Sequence, residues 1–220
     1  MVTAAVAQDT NTTVADAFLD CLARARHETK PYDHWLLTEA LPQSDVDAIG
    51  QLPLPPPSEP VFNGKRETNN STRIYFTPEN QERYPVVRRV VEGFQDRRVR
   101  DTIARTTGAD LSDGNLRIEY CQDQPGFWLE PHTDIFVKRF TMLVYLLDDP
   151  ALVNAGTDVL EGPPDYKYVH SAPHARNRGV IFIPGPNTWH GVGHHPLTKL
   201  RKSIIINYVT SQWRDKWELA

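Results

Sequence analysis

The sequence predicts a mainly β domain with helices flanking it, and three observations carry that expectation. After Gly114 the chain falls into short β-branched or aromatic runs, NLRIEY, FWLEPHTD, RFTMLVYLL, TDVLEG, YKYVHS, GVIFIPG and KLRKSIIINYV, divided by Gly, Pro, Asn and Asp. Such a succession of short runs is the pattern of a sandwich or barrel. The 18 prolines among 220 residues disfavour a helical bundle, and helical periodicity is confined to the first half. The length suits one large domain or two small ones, with ample residues to bury a core.

In chain order, residues 1–12 are small and polar without periodicity and are expected to fray. Val14, Phe18, Cys21, Leu22 and Ala25 recur at helical spacing, predicting an amphipathic helix over 14–26. A short strand follows at 35–37, then a helix capped by Ser44 or Asp45. The segment LPLPPPSEP at 52–60 cannot be helical, because each proline lacks an N–H and restrains its predecessor, so it reads as a surface connector. From 82 to 105, Val87, Val90, Val91, Phe94, Val99 and Ile103 keep the 3.6 period, while Arg88–Glu92, Asp96–Arg100, Arg97–Asp101 and Asp101–Arg105 fall at i,i+4. These predict one long helix with a solvated charged face. The expected organisation is an N-terminal extension and helix at 1–30, then one domain at 31–220 with its β core at 114–210.

Twenty-four Lys+Arg against 28 Asp+Glu give a net charge of −4, so no global positive field gathers nucleic acid or anionic membrane. Cys21 and Cys121 are too few for a disulfide framework or a zinc cluster. No run of about 18 uncharged apolar residues occurs, and the N-terminus lacks a basic leader pattern. A soluble cytoplasmic protein with a small-molecule partner, and neither nucleic acid nor membrane, is the expectation.

Six of the eight histidines lie between 132 and 195. His132 is followed two residues later by Asp134, and in a strand residues i and i+2 share a face, so an imidazole and a carboxylate converge there. Alone the pair is ordinary and needs a third ligand. His190 follows the apolar run and Pro-Gly-Pro turn of GVIFIPGPNTW, which puts it at a strand end. Eleven residues later Arg201 shares a strand face with Ser203, Ile205 and Asn207. A buried guanidinium requires an anion, and Arg201 with the Ser203 hydroxyl suits a carboxylate. Two histidines and one carboxylate leave positions open on an octahedral iron.

The pattern His132-x-Asp134, His190, Arg201-x-Ser203 resembles the Fe(II)/2-oxoglutarate-dependent dioxygenases, in their prolyl-hydroxylase-like branch. YCQDQPGFWLEPHTD is similar to that branch's tyrosine, Pro-Gly turn and HxD, and RFTMLVYLLDD to its next core strand. AGTDVLEG, GVIFIPGPNTWHGV, RKSIIINY and the opening PYDHWLLTEALP resemble further segments, so the likeness runs over 31–210 and is strongest at 117–208. The resemblance implies a distorted double-stranded β-helix of the jelly-roll or cupin kind. It further implies Fe(II) on His132, Asp134 and His190, and 2-oxoglutarate anchored by Arg201 and Ser203 with Tyr145 and Tyr120 as further cosubstrate contacts. With O2, such a site hydroxylates an unactivated C–H bond and releases succinate and CO2. Asp134 is present where halogenating relatives carry a small residue. Asn207 stands where the nucleic-acid-demethylating branch carries a second arginine. A small-molecule hydroxylase is the leading expectation; a prolyl-type protein hydroxylase and a non-catalytic cupin-like metal-binding module are the alternatives. Arg73, Trp128 and Arg139 are candidates for the substrate mouth. His194 and His195 read as solvated, a second metal site at His170 and His174 is disfavoured by Pro173, and Trp213 and Trp217 are expected to pack a terminal helix.

Overall fold

The computed structural model describes residues 12–58, 62–65 and 73–220. Residues 1–11, expected to fray, and the end of the proline connector at 59–60 lie outside the described residues. Five helices are described: α1 (Val14–Arg24), α2 (Gln43–Gly50), α3 (Pro78–Arg83), α4 (Pro85–Gln95) and α5 (Arg97–Thr107). The strands are β1 (Arg26–Glu28), β2 (His34–Thr38), β3 (Ile74–Tyr75), β4 (Asn115–Asp123), β5 (Leu129–His132), β6 (Lys138–Tyr145), β7 (Asp158–Leu160), β8 (Tyr168–Ser171), β9 (Arg178–Phe182), β10 (His190–Val192) and β11 (Arg201–Val209). They form a seven-stranded sheet in the order β1-β2-β9-β6-β11-β4-β3 and a four-stranded sheet in the order β5-β10-β7-β8. Every pairing within both sheets is antiparallel, as the expected double-stranded β-helix requires.

Period-2 alternation sorts the large sheet into two environments. Ile118 and Tyr120 of β4, Met142 and Val144 of β6, and Ile204, Ile206 and Tyr208 of β11 pack against Phe18, Val90, Phe94 and Ile103 of the helices. Leu143, Tyr145, Val180 and Phe182 point the other way, into a second cluster with Val159 of the small sheet. The barrel interior lies between the sheets, and the helices close the outside. Gly93 permits the tight approach of α4 to α1, since a Cβ there would lie 2.5 Å from Val14 Cγ1.

Three expectations change. The long helix of 82–105 is interrupted twice: Tyr84 and Asp96 are extended, and the Asp96 carboxylate accepts from the Arg98 N–H, starting α5 as its cap. Helix α2 begins after Pro42 with no side-chain cap, because the buried Asp45 carboxylate is turned to Arg89 instead. At the C-terminus a 3-10 turn (Lys216–Glu218) replaces the expected helix. There the rings of Tyr75 and Trp213 lie 4.7 and 4.5 Å from the fully buried Arg117 guanidinium. Arg117 also donates to Glu119, and to Glu218 at 2.5 Å. Trp217 stays 65% exposed.

Removing one of the two carboxylates around the buried Arg117 guanidinium leaves it half neutralised and orphans the Arg117 and Trp213 donors aimed at Glu218. Glu218→Ala is therefore expected to cost about 3 kcal/mol in urea unfolding, against less than about 0.5 kcal/mol for Trp217→Ala.

Candidate metal and cosubstrate site

The first ligand pair is made by strand pairing. His190 of β10 stands opposite His132 of β5 in an antiparallel register, and their ring centroids are 4.2 Å apart. Each imidazole is fixed by the same local device, Nδ1 meeting the carbonyl oxygen two residues earlier at 2.9 Å: Glu130 for His132 and Thr188 for His190. This assigns the N–H to Nδ1 and leaves the Nε2 lone pair for a metal. Burial first, then the neighbouring His132, pushes His190 down to about 3, so its imidazole is neutral at physiological pH and its Nε2 lone pair carries no proton.

Asp134 lies just beyond β5, and its position comes from contacts made by β6. Lys138 Nζ donates to Oδ1 and Thr141 Oγ1 to Oδ2, both at 2.7 Å. Asn207 in turn donates to Thr141 Oγ1 at 2.9 Å and so supports the Asp134 carboxylate through Thr141. One ligand atom from each of His132, Asp134 and His190 lies within 4.8 Å of the other two, close enough to share one ion. Among the described residues this is the one such group of three or more.

A second polar cluster is built by β11 between β4 and β6. Arg201 stands opposite Asp123, and Ser203 opposite both Cys121 and Tyr145, so all face the barrel interior. Arg201 is 3% exposed; its Nε donates to Ala155 O at 2.8 Å and its Nη1 to Asp123 Oδ2 at 2.6 Å. Asp123 also accepts from Arg73 at 3.0 Å, bridging two guanidinium groups. Arg201 Nη2 and Ser203 Oγ are buried without a hydrogen-bond partner. Leaving such groups unpaired is costly, and a carboxylate satisfies both at once. The donor sets thus fit iron on one side and a diacid on the other.

The remaining expected residues divide. Tyr145 lies beside Arg201, whose Cζ is 5.2 Å from its ring centroid, but its hydroxyl is engaged by the Thr157 N–H and hydroxyl. Tyr120 is a correction: paired with Ile204, it faces the helices, away from Arg201. Arg73 lines the cavity that contains the trio, with its guanidinium on Asp123. Arg139 points out and is exposed, because a bulge between Tyr208 and Val209 shifts the β6 parity and turns Lys138 inward. Trp128 is 42% exposed against Gly64, and His194 is exposed and stacked on Tyr168. His170 meets His34, with 3.0 Å between their Nε2 atoms, rather than His174.

Lys138, Thr141, Asp123 and His174 were not anticipated. Asp123 was signalled by the alternation of LRIEYCQD, which puts Arg117, Glu119, Cys121 and Asp123 on one face. His174 sits in a loop with no periodicity to announce it. No helix among the described residues is long and apolar enough to cross a membrane.

No protein-family model matches the chain, and no curated protein matches it. Solved structures do. A Pseudomonas putida prolyl-4-hydroxylase aligns with a TM-score of 0.54 and 17% identity over 91% of this chain and 94% of that one. A Burkholderia pseudomallei oxidoreductase of the 2OG-Fe(II) oxygenase family gives 0.53 and 14% over 87% and 89%. A non-heme alpha ketoglutarate dependent epimerase from nogalamycin biosynthesis gives 0.52 and 16% over 89% and 83%.

His174 supplies a pH prediction. Burial, with the Arg201 charge second, pushes it from 6.5 to about 3, so between those values the unfolded chain binds one proton more than the folded one. Its contribution to stability is complete above about 6.5 and is lost as pH falls toward 3. Urea titrations of metal-free protein at pH 6 and pH 5 are expected to show stability falling with pH, and His174→Phe to flatten that slope by about 1.4 kcal/mol per pH unit. The site geometry and the structural likenesses agree on one architecture: the chain has the fold of the 2-oxoglutarate- and Fe(II)-dependent oxygenases, in its prolyl-hydroxylase-like form.

Proposed function

We propose that the protein is an Fe(II)- and 2-oxoglutarate-dependent dioxygenase that hydroxylates an unactivated C–H bond of a small molecule, releasing succinate and CO2. The observation that carries this proposal is the coexistence, in one barrel, of the His132–Asp134–His190 trio and the unpaired Nη2 of Arg201. A binding module of the cupin kind has no need of the second feature.

His132 and His190 would hold the iron through Nε2 and Asp134 through a carboxylate oxygen, while Lys138 and Thr141 keep that carboxylate from rotating. Iron so held supplies, with 2-oxoglutarate and O2, the oxidising chemistry. Arg201 and Ser203 bind the far carboxylate of 2-oxoglutarate and thereby orient its keto-acid end toward the trio. Phe127, Leu129, Leu143, Val192 and Ile205 line the same cavity and exclude water from it.

A peptide substrate is the second reading, favoured by Ile135 and Phe136, which follow Asp134 directly and are 57% and 82% exposed. Those side chains offer an apolar rim that a buried small substrate does not require. A mass-spectrometric screen of amino acids, other metabolites and proline-containing peptides for the gain of one oxygen separates the two.

Anaerobic addition of Fe(II) and 2-oxoglutarate is expected to produce the visible metal-to-ligand charge-transfer band, absent in His132→Ala, and air is expected to yield succinate. A band without succinate would leave a binding protein; no band would end the enzyme proposal. Arg201→Ala is expected to raise the KM for 2-oxoglutarate about 10- to 100-fold, the worth of a hydrogen bond to a charged group.

A further inference from the structure

Several of the orphaned polar atoms of the barrel interior lie around one ring. Besides Arg201 Nη2 and Ser203 Oγ, both ring nitrogens of His174 are buried without a partner, and the side chain is only 5% exposed. His174 lies 4.7 Å from the Tyr145 ring by centroids; Arg201 Cζ lies 5.2 Å from the same ring, and Ser203 is the strand partner of Tyr145. The loop bearing His174 is pressed onto the segment that fixes Arg201. A Cβ on Gly156 would lie 1.7 Å from Ala172 O, Ala172 N donates to Thr157 O at 2.9 Å, and Ala155 O is the acceptor for Arg201 Nε. Only glycine permits that approach, and it brings the imidazole to the arginine end of the barrel.

Three unsatisfied polar side chains around one tyrosine are unfavourable unless a polar ligand completes them. The ligand must be an acceptor with several lone pairs, since Arg201 can only donate. His174 is neutral at pH 7, held so by burial and by the Arg201 charge, and therefore brings one N–H donor.

We propose that His174 is a cosubstrate-binding residue, donating a ring N–H to the carboxylate anchored by Arg201 and Ser203. This rests on the proposed dioxygenase function, and it assigns to the loop before β9 a share of the diacid recognition that the strand motif alone does not supply.

The test is titration of the anaerobic Fe(II) protein with 2-oxoglutarate and with 2-oxobutyrate, which keeps the keto-acid end but lacks the far carboxylate. His174→Phe is expected to weaken 2-oxoglutarate about tenfold or more while leaving 2-oxobutyrate and Fe(II) binding unchanged, and His174→Gln, which keeps a donor, to recover most of the affinity. Equal weakening of both keto acids, or unchanged 2-oxoglutarate binding in a protein whose Arg201→Ala variant is impaired, overturns the His174 role alone. Absence of 2-oxoglutarate binding in the unaltered protein overturns both proposals. Where His174→Phe fails to fold, unaltered protein labelled with 15N at histidine and loaded with Zn(II) gives the readout: 2-oxoglutarate shifts the His174 ring resonances and 2-oxobutyrate does not, and no shift with 2-oxoglutarate overturns the assignment.

Discussion

The pairing of β10 with β5 is the constraint on which the rest depends, because it sets His190 directly across from His132. A slip of one residue would send one imidazole to the opposite face of its strand. Both rings take their orientation from carbonyls two residues earlier on their own segments, so each imidazole is held by its own strand. What the strand pair does not provide is the carboxylate. Asp134 is brought to the same point by Lys138 and Thr141 of the other sheet, and the trio is therefore a junction between the two sheets.

Buried charge is electrostatically expensive, and much of it in the interior is met by an opposite charge. Lys138 offsets Asp134, Asp123 sits between Arg73 and Arg201, and Arg117 is held by Glu119 and Glu218. Buried pairs of this kind rarely add stability over apolar packing, since desolvation consumes most of the attraction. Along the interior face of β4, β6 and β11 such pairs stand where apolar residues would pack more cheaply. The outward face of the same strands shows the contrast: Ile118, Met142, Ile204 and Ile206 pack there against apolar helix surfaces.

How much was legible in the sequence follows from how local each signal is. His132, His190, Arg201 and Ser203 are fixed by strand parity or by spacing along a single segment, Asp134 is near His132 in the chain but past the end of β5, and the structure brings all five to the barrel interior. Strand parity also contradicts Tyr120: the alternation that turns Asp123 inward turns Tyr120 outward, so the likeness to a family motif misplaced a residue that the pleat had already assigned. The breaks at Tyr84 and Asp96 were hidden because the apolar spacing continues across them, Phe94 and Val99 both remaining buried on either side of an extended residue.

Lys138 and Arg139 show the limit of reading parity from one strand. Counting back by twos from Tyr145 through Leu143 and Thr141 arrives at Arg139, and a regular strand would aim that guanidinium into the barrel. The bulge against β11 inserts one position, so the ammonium of Lys138 enters and Arg139 meets solvent. Nothing in RFTMLVY announces the bulge, because it is a property of the pair of strands. A compact ammonium offers donors that rotate, and Lys138 donates to Oδ1 while Thr141 donates to Oδ2, whereas the planar fork of a guanidinium favours taking both carboxylate oxygens at once. An Asp134 clamped in that bidentate way would have less freedom to present an oxygen to a metal, so the one-residue shift decides which cation stands behind the carboxylate ligand and how that carboxylate is held.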